Sequence, residues 1–108
     1  MRPVAWLYLF TAGLFEIGWP VGLKLAQRPD TRISGIAIAL VCIAISGFLL
    51  WQAQKHIPMG TSYAIWTGIG AAGTFLVGVL FFGDASNLGR YLGVGLIVAG
   101  VAMLKLSN

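Results

Sequence analysis

Apolar residues in this chain fall into four long runs, each closed by polar or turn-forming residues. The first, Val4–Leu23, holds a single ionisable residue, Glu16, and ends at Lys24. The stretch Gln27-Arg28-Pro29-Asp30-Thr31-Arg32 separates it from the second run, Ile33–Ala53, which Lys55 and His56 close. The third, Ile57–Phe82, stops at Gly83-Asp84. The fourth, Leu88–Leu106, has Arg90 and Lys105 near its ends, where long basic side chains can snorkel to an interface. None of the runs alternates apolar and polar residues as a half-buried strand does, and each is long enough for a helix. At about 1.5 Å of rise per residue, about twenty residues cross the ~30 Å hydrocarbon layer of a bilayer. The pattern predicts an all-α membrane protein, a single four-helix membrane domain over residues 1–108 with helices at about 4–25, 33–54, 61–82 and 88–106. The third helix is expected to begin near Thr61 or Ser62, after the turn Pro58-Met59-Gly60.

Composition narrows the class. Hydrophobic residues make up 58% of the chain and charged ones 9%, against roughly 25% charged in a soluble domain. The net charge of +4 is carried by single basic residues scattered between apolar runs. They suit interfacial anchors better than a phosphate-binding patch, so no nucleic-acid partner is expected. Cys42 has no second cysteine to pair with, which excludes an intrachain disulfide framework. Arg2 followed by an apolar run resembles a secretory leader, but the run is too long and contains Glu16, so it is expected to stay in the membrane.

With four spans, Arg2, Lys55 and Lys105 lie on one side of the membrane and Lys24, Arg28, Arg32 and Arg90 on the other. That near balance leaves the positive-inside rule little to act on, and the chain is expected to insert in either orientation. Four helices are too few to enclose both a buried carboxylate and a solute path, so a two-fold oligomer is expected. Two copies inserted oppositely would generate the inverted pair that other transporters build from internal repeats. Gly89, Gly93 and Gly100 fall close to one face of the fourth helix, and small residues at such spacing allow close helix contact in lipid.

The chemistry centres on Glu16. A carboxylate at the middle of a span costs several kcal/mol or more, roughly, unless it is protonated or paired, and it marks a functional site by default. Gly13, Glu16 and Trp19 lie on one stripe of the first helix. Pro20 has no N–H for the carbonyl of Glu16, which leaves that oxygen free or produces an ordinary proline kink. On the third helix Tyr63 and Trp66 stand three apart, followed by Gly68, Gly70 and Gly73. Ser46, midway along the second, can offer its hydroxyl to the carboxylate or back to its own helix. A carboxylate, two indoles, a phenol and a hydroxyl in an apolar bundle suit an organic cation. A guanidinium binds a carboxylate edge-on through two hydrogen bonds and stacks its face on aromatic rings. One carboxylate holds either a proton or such a cation, so export of the cation can be driven by protons. No phosphate-cradling loop, metal-ligand cluster or nucleophile constellation can be assembled, so no enzyme activity, metal or cofactor is expected.

Across essentially its whole length the chain resembles the small multidrug resistance (SMR) family. The segments Phe15-Glu16-Ile17-Gly18-Trp19 and Gly60-Thr61-Ser62-Tyr63-Ala64-Ile65-Trp66-Thr67-Gly68-Ile69-Gly70 are similar to its guanidinium-exporter branch in particular. The resemblance implies an antiparallel, dual-topology homodimer in a bacterial inner membrane that exchanges guanidinium for protons. Glu16 is then the shared proton and substrate site, and Trp19, Ser46, Tyr63 and Trp66 line the substrate pocket. The Gly68-Ile69-Gly70 run implies a bend during alternating access, with Pro20, Gly73, Gly93 and Gly100 serving conformation or packing. Two segments depart from the branch: Pro20 stands where a small residue is usual, and the first loop reads Arg28-Pro29-Asp30-Thr31-Arg32. The first departure bears on substrate range and leaves room for substituted guanidines. The competing possibilities are an exporter of quaternary ammonium drugs and a non-transporting partner subunit of a paired heterodimer.

Overall fold

The computed structural model describes residues 2–107. The chain forms four long α-helices: α1 (Arg2–Leu25), α2 (Arg32–Ala53), α3 (Met59–Phe81) and α4 (Leu88–Leu106), with one 3₁₀ turn at Pro29–Thr31. All four are long and apolar enough to cross a membrane, as befits a multi-pass membrane protein. In the bundle α1 lies between α2 and α3, and α4 packs mainly on the far side of α3. The result is a slab of 44 × 33 × 17 Å.

Each connection satisfies backbone groups that lipid cannot. At the end of α1 the Thr31 hydroxyl donates to the Leu25 carbonyl at 2.6 Å, and Arg32 Nε donates to that of Ala26 at 3.2 Å. After α2 the Ile57 N–H returns to the Ala53 carbonyl at 3.1 Å. This folds Ile57 into a core with Ala5, Leu9, Ala53 and Ile65, against which Trp6, Phe10 and Leu50 pack. Helix α3 begins at Met59, two residues before Thr61. Extended Pro58 takes the N-cap position and its carbonyl accepts the Ser62 N–H at 2.9 Å, so Met59 and Gly60 fill the first turn, whose N–H groups need no helical partner. Gly83, at φ +70, stops α3 in the left-handed conformation, and the Phe82 and Asp84 N–H groups both reach the Gly78 carbonyl, at 3.1 and 3.0 Å. Asn87 then caps α4 by accepting from the Arg90 N–H at 2.9 Å.

The helices meet through side-chain-free surface. A Cβ on Gly35 would stand 2.5 Å from the Gly22 carbonyl oxygen and the Ala26 nitrogen, so α1 and α2 touch backbone to backbone. Among the described residues α4 contributes no buried side chain. A Cβ on Gly93, Gly95 or Gly100 would meet nothing within 4 Å, so these glycines of α4 pack against no other described residue.

Candidate functional site

Glu16 sits in the fourth turn of α1, on the flank that faces α3. Gly70 makes room for it: a Cβ there would lie 2.5 Å from Glu16 Cγ. Gly73, one turn further, receives Ile17 in the same way, and Gly13 of α1 gives its space to Ile69. The glycines of α3 therefore serve two faces, since Gly68 points the other way, toward Ile97 and Val101 of α4.

Glu16 Oε1 is buried and has no hydrogen-bond partner among the described residues, and the same holds for Trp19 Nε1 and Thr74 Oγ1. An open cavity of about 410 Å³ adjoins the carboxylate, with Pro20, Thr67, Gly70, Thr74 and Phe75 in its lining and Asp84 among them. A smaller pocket of about 150 Å³ shares Pro20, Thr74 and Asp84 with it and adds Lys24. The two spaces share three lining residues and adjoin one another between α1 and α3, from the middle of the span toward the end of both helices. Pro20 lines both parts, and it cannot donate to the Glu16 carbonyl one turn before it.

Ser46 and Trp66 meet each other and not the carboxylate. The Ser46 side chain is fully buried; its hydroxyl donates to the Ala12 carbonyl at 2.7 Å and accepts from Trp66 Nε1 at 2.8 Å. It bonds neither Glu16 nor its own helix. One hydroxyl thereby ties α2 to α1 and α3, at a point about one helical turn before Glu16. The Tyr63 ring tilts against Trp66 at a centroid distance of 5.5 Å and is 56% exposed. Trp19 remains on α1 beyond Glu16, partly buried, its indole N–H unpaired.

Sequence reasoning missed Thr67, Thr74, Phe75 and Asp84 of the cavity wall. Thr67, Gly70 and Thr74 recur at three and four residues along α3, so a search for hydroxyls in register with Gly70 would have found them. Asp84 carries no such signal, because Gly83 redirects the chain and only then places the carboxylate against Gly78. Among the described residues no group of three or more His, Cys, Asp or Glu side chains gathers to hold a metal ion.

The recess can do one thing chemically. Its unpaired carboxylate oxygen accepts hydrogen bonds, so it completes itself with a proton or with a ligand rich in N–H donors.

Comparison with known proteins agrees with this architecture. A family model described as Small Multidrug Resistance protein matches residues 4–97. A protein of Yersinia pseudotuberculosis serotype I (strain IP32953) named "Guanidinium exporter" is 46% identical over 105 residues, covering 97% of this chain and 100% of the relative. Proteins of the same name from Proteus vulgaris and Salmonella typhimurium (strain LT2) are 44% and 45% identical; the alignments cover 97% and 96% of this chain and 100% and 98% of those relatives. With four spanning helices, a glutamate set into the first and a match over nearly its full length, this chain belongs to the small multidrug resistance family.

Proposed function

We propose that the protein exports guanidinium-type organic cations across a bacterial inner membrane in exchange for protons. One observation carries this: a buried carboxylate oxygen at the middle of a membrane helix, unpaired, beside a cavity. The naming of the relatives as guanidinium exporters supports the identity of the cation. Guanidinium presents paired N–H groups that match the two oxygens of Glu16, and its flat face suits the aromatic wall that Phe75 supplies. Leaving the carboxylate charged and empty costs about 3 kcal/mol at the centre of a span, which favours uptake of either ligand. Proton and guanidinium exclude each other there, and this exclusion couples their movements.

A dual-topology antiparallel homodimer completes the site. Three features support it: the near balance of basic residues on the two sides, the uncovered glycine stripe of α4, and a cavity open at its flank. The notches at Gly68 and Gly70 let α3 bend between its two neighbours as the site turns from one face of the membrane to the other.

Proteoliposomes holding the protein alone supply the test. Guanidinium gradients should drive proton movement with no other energy source, and Glu16→Gln should abolish it. Currents with a tetraalkylammonium but none with guanidinium would transfer the protein to the quaternary-ammonium class. Silence toward both would leave the role of a partner subunit. Reporter fusions that place every C-terminus on one face would refute the antiparallel dimer.

A further inference from the structure

The recess beside Glu16 is far larger than guanidinium. That ion has four heavy atoms, whereas about 410 Å³ holds on the order of ten waters at ~30 Å³ each. The far end of the space is also not apolar.

Gly70, Thr74 and Gly78 follow one another at four-residue intervals and so line one face of α3. Glu16 lies against Gly70, and the Asp84 carboxylate lies against Gly78. Asp84 is brought back along the helix by Gly83 in its left-handed conformation and is held by its own N–H on the Gly78 carbonyl at 3.0 Å. Thr74, midway between them, has a buried hydroxyl with no partner among the described residues. The wall is therefore a ladder of carboxylate, hydroxyl and carboxylate. Gly70 and Gly78, against which the two acidic side chains lie, stand eight residues apart on α3, or about 12 Å at ~1.5 Å per residue. Pro20 faces both halves from α1, and Lys24 stands at the outer end with Asp84.

We propose that Asp84 and Thr74 form a second subsite of the Glu16 cavity, and that it takes guanidines carrying a second cationic group on a short tether. This rests on Glu16 holding the guanidinium. Two to four methylenes separate the charges of such a molecule by about 5–7 Å, and hydrogen bonds of about 3 Å at each end bridge the remaining distance between the carboxylates. Thr74 contacts the tether where it leaves the guanidinium. Lys24 lines the outer pocket with Asp84, and its positive charge opposes that of the tail.

The experiment compares proteoliposome currents of the full-length protein for four probes: guanidinium, butylguanidine, aminoethylguanidine and aminobutylguanidine. Wild type should carry both aminoalkyl compounds. Asp84→Asn retains the backbone contact to Gly78 and should raise KM for them about tenfold, the loss expected on removing one charge-assisted hydrogen bond, while leaving guanidinium and butylguanidine within about twofold. Lys24→Met should lower KM for the aminoalkyl compounds alone. The subsite is refuted if wild type carries guanidinium but neither carries an aminoalkylguanidine nor is inhibited by one. It is equally refuted if Asp84→Asn shifts all four probes alike, as a merely structural Asp84 would. A wild type that carries no guanidinium refutes the proposed function instead, so the two failures are distinct.

Discussion

Gly70→Ala isolates the position of the carboxylate from everything else in the bundle. The added Cβ would lie 2.5 Å from Glu16 Cγ and 3.2 Å from its Cβ, whereas ordinary carbon contacts are about 3.5–4.0 Å. Glu16 must therefore retreat by about 1 Å, and turning it off its rotamer costs about 1 kcal/mol. Replacing a helix-interior glycine with alanine returns about the same amount, so folding stability should change by less than about 1 kcal/mol. Transport should not be so forgiving, because a shift of about 1 Å in a positioned group can lower a rate on the order of 100-fold. The assay pairs thermal unfolding in detergent with kcat/KM for guanidinium in proteoliposomes. Gly73→Ala is the control, since its Cβ drives into Ile17, which carries no chemistry. Wild-type transport by Gly70→Ala, or equal transport losses in the two variants, would refute the idea that Gly70 exists to seat Glu16.

Ser46→Ala removes the acceptor of Trp66 Nε1 and should lower stability by about 1–2 kcal/mol, and a double-mutant cycle with Trp66→Phe should show strong non-additivity in unfolding experiments. Gly35→Ala presses on backbone atoms of α1 and should destabilise by about 1–3 kcal/mol; Gly47→Ala meets nothing within 4 Å and should stabilise by up to about 1 kcal/mol, both read by thermal melts. If protons and guanidinium exchange at one carboxylate as proposed, the apparent KM for guanidinium should rise as proton concentration rises; a KM independent of pH would contradict the exchange.

How much of this could be read from the sequence depends on whether the information is linear. Four apolar runs of spanning length announce four helices, and a lone glutamate inside one of them announces a site, because a bilayer tolerates few alternatives. The partners were harder. The acceptor of Ser46 is a backbone carbonyl on another helix, and no residue type advertises that. Thr74 resembles any hydroxyl that satisfies itself on its own helix, and only the fold shows that it does not. Asp84 reads as an interfacial residue after a helix end, until the turn at Gly83 carries it back over α3. The glycines of α3 and α4 look alike in sequence. Packing separates them: those at 68, 70 and 73 receive side chains of this chain, and those at 93 and 100 do not.

The Ser46 hydroxyl has a single proton, and that proton goes to Ala12. A serine so engaged cannot also donate to the carboxylate one turn away, although it is among the few groups in the bundle chemically able to do so. Saturating this serine is thus a way of keeping Glu16 hungry. The bundle pairs this hydroxyl elsewhere and leaves Glu16 Oε1, like Trp19 Nε1 and Thr74 Oγ1, unpaired among the described residues, so the unmet demand for hydrogen bonds in the membrane is addressed to whatever enters from outside.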